Sequence, residues 1–377
     1  MKTIKLWIIG FFSILMFCVM TTNVEAASEE GFEYYTTGSR TSTELITGNN
    51  NFLEYEIVKT EVKGNKNTSY KLKNFLSSSY SYYTIPGLKN TNILGKNCDT
   101  MVPQGICRMD EYVLITAYDS SKKYNSVIYV LSKEGALQAT LVYCNNAHLG
   151  GITYDGSFVW IAEGSDTDYV GAIGKNIILK AVNVAKKTGA KSVALKKDSH
   201  IKRQHLPALD STSYCTYFDG RLWVGKFEEN KVSYIYGYTI DYRYSTPKLN
   251  IDAYIEAPKK TQGICFYNYN GTVYLGVSTS YGRRNNSVIR CYKPNYSNPK
   301  NYYDPRLKIY IQQIIKNDAY RTITMPSMSE QISMKESSMY CIFESAANKY
   351  LNNLDGKGYS SRPIGSFCLL SAKMIFR

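Results

Sequence analysis

The chain has 377 residues, with 45 Lys and Arg against 31 Asp and Glu, a formal charge of +14. That is room for one large domain or two ordinary ones. No Walker or dinucleotide glycine loop, GxSxG elbow, CxxC or HxxxH spacing occurs, so nucleotide, serine-hydrolase and zinc chemistries lack their usual marks.

Lys2 and Lys5 precede an apolar run from Leu6 to about Met20, and Val24-Glu25-Ala26 places small residues where a signal peptidase reads. Residues 1–26 are therefore expected to be a signal peptide, cleaved after about Ala26, and the protein to be secreted. A membrane anchor would need about 20 apolar residues. A lipoprotein would need a small residue before Cys18, where Phe17 stands. Outside a cell, a basic balance favours anionic wall polymers, acidic glycans or lipid headgroups, or serves solubility alone. Nucleic acid is not an expected partner.

Residues 27–95 are rich in Tyr, Ser, Thr, Asn and Lys and hold two strand-like runs, FLEYEIVKTEV and SYKLKNFL. The rest, 96–377, repeats itself. PQGICRM at 103–109 returns as TQGICFY at 261–267, and NSVI at 125–128 returns at 286–289 in the same relative place. After the first QGIC come YVLITAYD, NSVIYVLSK and ALQATLVY, separated by turn signals, which reads as a four-stranded meander. Weaker copies are GGITYDGSFVWIAEG, SYCTYFDGRLWVGKF and EQISMKESSMYCIFES, so repeats start near 104, 150, 212, 262 and 330. The two longest gaps carry Lys/Asn/Pro-rich insertions expected as loops.

Repeats of roughly 40–50 residues with four strands each predict an all-β fold, a β-propeller of five four-stranded blades. A degenerate sixth blade is the alternative. The last copy is short, so part of 27–95 is expected to complete it. The Gly of QGIC is expected where inner strands crowd the axis.

The recurring Gly-Ile pair and the DGxxVW-type hairpin resemble the secreted bacterial propellers of the YVTN/NHL-like superfamily over roughly 103–377. The resemblance implies architecture and leaves the chemistry open. Five-bladed propellers include lectins and glycosidases, which is an analogy of fold alone.

Eight cysteines follow residue 26: Cys98, Cys107, Cys144, Cys215, Cys265, Cys291, Cys341 and Cys368. Cys107, Cys215 and Cys265 fall at one repeat position in different blades, too far apart for a bridge, and are expected as buried thiols. The other pairings stay open. No metal site and no cofactor are expected.

In a meander the start of the first strand lies beside the end of the second, so both sets of residues should ring one channel mouth. The starts supply Gln104, His148, Ser213, Gln262 and Glu330. The ends supply Tyr118, Asp119, Glu163, Lys226, Tyr281, Arg283, Glu344 and Ser345. The expected ligand-binding set is Gln104, Tyr118, Asp119, His148, Ser213, Gln262, Tyr281, Arg283, Glu330 and Glu344. Each has a plainer role available. The glutamines can bond rim backbone, His148 can be structural rather than a general base, and Arg283 can be a solvated loop residue rather than an anion clamp. Glu163, Glu330 and Glu344 are the carboxylates able to work in pairs, as glycoside cleavage requires, or to form ordinary ion pairs.

Two functions fit. The first is an exported, monomeric binding module for an extracellular glycan, anionic wall polymer or peptide. The second is an enzyme at the same mouth, either a glycosidase using paired carboxylates or a lyase using His148. A protein–protein platform is a third.

Overall fold

Tight turns set the fold. Asp110 takes φ 47°, Asp219 and Gly220 take 50° and 76°, and Asn270 and Gly271 take 48° and 78°. Two-residue hairpin turns require positive φ at the first central residue or, as in the last two of these, at both. Each turn joins the innermost strand of a sheet to the next. The structure is a computed structural model, described over residues 26–46, 51–164 and 167–377. The expected signal peptide lies, except for Ala26, outside the described residues.

The chain is all-β and has a β-propeller arrangement. The first sheet runs outward from Met101–Met109 through Tyr112–Asp119 and Val127–Ser132 to Leu137–Val142. The second begins at Gly151–Tyr154, the third at Tyr214–Phe218, the fourth at Thr261–Tyr269 and the last at Ser329–Lys335. Each innermost strand packs beside the next, and the last returns to the first.

Separate cores fill the wedges between neighbouring sheets. Leu114 packs with Ile161, Trp160 with Val224, Trp223 with Ile264, Cys265 with Ile332, and Ile106 with Ile342. Trp160 and Trp223 are fully buried, each worth about 3 kcal/mol or more in transfer from water.

Glycines let the inner strands meet. A Cβ on Gly105 would stand 2.6 Å from Thr116 Oγ1, and one on Gly263 would stand 2.7 Å from Gln331 Cα. All eight described cysteines are free thiols.

One expectation is corrected. The insertions are ordered elements rather than loops. Between 150 and 212 lies a helix, Lys175–Thr188, which buries Ile178, Ala181, Val182 and Ala185 on one face and ends at Gly189 with φ 67°. The second insertion forms a hairpin, Lys300–Asp304 with Ile309–Gln313, on the third sheet.

The segment 27–95 does not serve one sheet. Tyr82–Thr84 is the outermost strand of the last sheet. The hairpin Glu56–Glu61/Lys66–Lys71 extends the fourth, and Phe32–Tyr35 extends the first through Ser192–Ala194.

Candidate functional site

Three innermost strands break their pairing at the same level. Register shifts fall between Pro103 and Ile106, between Thr261 and Gly263, and between Ser329 and Ile332. Such bulges re-aim side chains out of the regular alternation. Here they carry Gln104, Gln262 and Glu330 to one cavity of about 300 Å³ at an end of the channel.

His148 and Ser213 join them from just before the other two inner strands, and Tyr118 and Glu344 from the neighbouring strand ends. Gly164 also lines the cavity; a Cβ there would stand 2.2 Å from the His148 Cβ, so glycine makes room for the imidazole.

Beneath the cavity the channel is closed by Gln331, which is fully buried. Its Oε1 accepts from Ile106 N and Ile152 N, both at 2.9 Å. Its Nε2 donates to the carbonyls of Ile152 at 2.8 Å and Cys215 at 2.9 Å. One amide thus satisfies backbone groups of three other inner strands, which would otherwise stay unpaired in a dry interior.

A polar network runs through the cavity. Gln104 donates to Glu344 Oε2 at 3.2 Å and its Oε1 accepts from His148 Nε2 at 2.8 Å. Tyr350 donates to Glu344 Oε2 at 2.6 Å, and Gln262 donates to Glu330 Oε1 at 3.3 Å. Tyr118 stacks on His148 with ring centroids 3.9 Å apart.

The carboxyl groups of Glu330 and Glu344 lie within hydrogen-bonding reach of each other. Glu330 is buried, while Glu344 keeps partial exposure to the cavity. Burial, then the charge of Glu344 and the hydrogen bond to it, push the Glu330 carboxyl well above its ordinary range. Burial also raises Glu344, against the hydrogen bond from Tyr350, the charge of Lys349 and the bonds from Glu330 and Gln104. Proton loss from the pair is therefore harder than from isolated carboxyls, most of all at Glu330. Glycoside cleavage by two carboxyls needs a separation of at least about 5 Å. This pair leaves no such gap.

Seven of the expected residues line the cavity: Gln104, Tyr118, His148, Ser213, Gln262, Glu330 and Glu344. Four do not. Glu163 is fully buried in an ion pair with Arg203, whose Nε reaches it at 2.7 Å, and accepts from Tyr143 at 2.9 Å. Asp119 is buried and accepts from Thr100 at 2.5 Å and from the amides of Lys123 and Tyr124, so it shapes the loop after its strand. Arg283 donates to both oxygens of Asp355 and to the Gly358 carbonyl, and its guanidinium sits 4.8 Å from the Tyr350 ring. Those bonds take up the donors an anion clamp would use. Tyr281 is exposed beside the cavity, stacked on Phe227 at 6.5 Å.

Sequence reasoning missed Phe227, Lys349 and Tyr350, which also line the cavity. The last two sit on a short helix, Asn348–Leu351, that returns over the mouth. Four residues carry no periodicity to announce a helix. Tyr350 lies six residues beyond Glu344, and that closeness was the available signal.

Among the described residues no group of three His, Cys, Asp or Glu side chains is placed to hold a metal ion. The fold is that of a propeller-based binding or interaction module. Compared with models of known families and with curated proteins, the chain matches none.

Proposed function

We propose that the chain is a secreted, five-bladed β-propeller related to the YVTN/NHL-like superfamily, binding an extracellular ligand at its channel mouth. The observation that carries this reading is convergence. The starts of all five inner strands deliver a polar side chain to one cavity, from positions between 104 and 330 in the chain. Polar side chains held on rigid strands around a concave site, with Tyr118, Tyr350 and Phe227 beside them, make a small-ligand site.

The five-blade count rests on the ring of inter-sheet cores. Secretion rests on the leader pattern through Ala26 and makes the ligand an extracellular glycan, wall polymer or peptide. The charge of +14 adds a general attraction to anionic surfaces.

The test is binding of the purified mature protein to a panel of glycans, wall polymers and peptides, at low and moderate salt, beside a Gln262→Ala/Phe227→Ala variant. Saturable binding that persists in salt and is lost in the variant supports the reading. Binding that the variant keeps and salt abolishes is bulk charge attraction and would overturn it.

A further inference from the structure

We propose that the mouth recognises a primary ammonium group, held between the carboxyls of Glu330 and Glu344. This rests on the reading of the mouth as a binding site and names the chemistry of its ligand.

Two like-charged groups are placed side by side at the wall of a cavity, not in a packed core. Of the lining residues, only Glu330 and Glu344 are acidic, and the basic ones are Lys349 and the imidazole of His148. Lys349 is turned to other partners, 3.8 Å from Asp355 and 5.3 Å from the Tyr350 ring. Arg283, behind Tyr350, is likewise engaged with Asp355. An anion entering the cavity would meet two carboxyls.

A cation meets a different environment. The rings of Tyr118, Tyr350 and Phe227 line the same space, and an aromatic ring attracts an ammonium group that reaches a free face. An ammonium has three donors in a compact head, enough to bridge two carboxylates. Two ionised carboxylates side by side repel, and an ammonium between them would offset that repulsion. Binding of the ammonium favours the doubly ionised pair, so a proton the pair carries leaves to solvent.

The groups facing the pair come from every surrounding element. They are Gln104 and Gln262 from the bulges, Tyr118 and His148 stacked together, and Lys349 and Tyr350 from the short helix. Gln104 and Tyr350 already donate to Glu344, and Gln262 donates to Glu330. These bonds favour the ionised forms once the cation is in place.

Calorimetric titration of the purified protein with butylammonium, beside neutral butanol, tests the proposal. Butylammonium is expected to bind at millimolar concentration, at least tenfold more tightly than butanol, and to release protons. Its affinity should rise with pH by up to tenfold per unit until the pair is ionised. Glucosamine beside N-acetylglucosamine, and glycinamide beside its N-acetyl form, separate an amino sugar from a peptide amino terminus as the source of the amine.

Glu330→Gln is the diagnostic variant. It puts a neutral group of the same shape where burial disfavours the ionised carboxyl, so it should fold with unreduced thermal stability at neutral pH. It should lose at least tenfold in butylammonium affinity, and the pH dependence should flatten. Equal binding of butylammonium and butanol, or binding unchanged in Glu330→Gln, would overturn the proposal. So would saturation of the pair by Ca²⁺ in competition with the amine. Tight binding of a neutral glycan that is lost in Gln262→Ala/Phe227→Ala would overturn the ammonium and leave the mouth a binding site. Insensitivity of all binding to the mouth variants would overturn both.

Discussion

Gln331 and Ile152 exchange two hydrogen bonds as though they were paired strand residues: the Gln331 amide accepts from the Ile152 N–H at 2.9 Å and donates to its carbonyl at 2.8 Å. They lie in the innermost strands of the last and second sheets. Because the same side chain also bonds Ile106 and Cys215, it acts as a fastener across the channel. Replacing it with Leu strands two N–H and two C=O groups in a dry interior. The expected loss is about 3–4 kcal/mol, since each buried unsatisfied group costs roughly 1–3 kcal/mol and the effects are not additive. A lower midpoint of urea unfolding with an unchanged slope would report it.

Gly263 and Gly271 separate crowding from backbone strain. A Cβ at Gly263 would lie 2.7 Å from Gln331 Cα and 2.8 Å from Ile332 N, both backbone atoms that cannot step aside. Gly271 meets nothing nearby but holds φ +78°. Gly263→Ala should therefore cost about 2–3 kcal/mol by overpacking, and Gly271→Ala about 1 kcal/mol by left-handed strain. Thermal melts of the two variants would rank them, and the reverse order would refute the crowding argument.

Glu163 is assigned to stability rather than to the mouth. Its carboxylate is fully buried and engaged by Arg203 and Tyr143. Glu163→Ala leaves the Arg203 guanidinium without its partner, and breaking a buried pair from one side costs about 3–5 kcal/mol. Denaturation should show that loss, while the folded protein keeps the mouth-dependent binding of the wild type.

The upward shift of the Glu330 carboxyl makes stability depend on pH with a definite sign. Its folded pKa lies above the ordinary value of 4.5, through burial first and the charge of Glu344 next. The stabilisation is complete below that ordinary value, where the group is protonated folded or unfolded. It is lost as pH rises toward the raised folded value, because the unfolded chain can ionise there and the buried group cannot. The slope is at most about 1.4 kcal/mol per pH unit for one proton. Glu330→Gln removes the ionising group, so the melting temperature of the variant relative to wild type should climb as pH rises above the ordinary value of 4.5. A difference that stays flat, or falls, would show that Glu330 is ionised in the folded protein.

The strands of the repeat were legible because they rest on local rules. QGIC, the Asp-Gly and Asn-Gly turns and the alternating apolar runs each announce a strand or a hairpin within a few residues. The helix Lys175–Thr188 was equally local, since Ile178, Ala181, Val182 and Ala185 follow helical spacing, and composition alone hid it. Seven mouth residues could be named in advance because a meander dictates which strand ends adjoin. Asp119, Glu163 and Arg283 lie beside those ends in sequence, yet each is drawn away by partners that no spacing reveals: Thr100 and a loop of amides, Arg203, and Asp355.

From the sequence alone come the strands, the turns, the radial repeat and the strand ends that face one mouth, all consequences of side-chain alternation and backbone preference over short distances. Tertiary structure decided which polar groups meet. The bulges aim Gln104, Gln262 and Glu330 inward, the helix Asn348–Leu351 brings Tyr350 over Glu344, and Gln331 closes the channel. Those outcomes depend on closing a ring whose first and last sheets are distant in the chain. The Glu330 carboxyl is pushed above its ordinary range because that closure buries it beside Glu344.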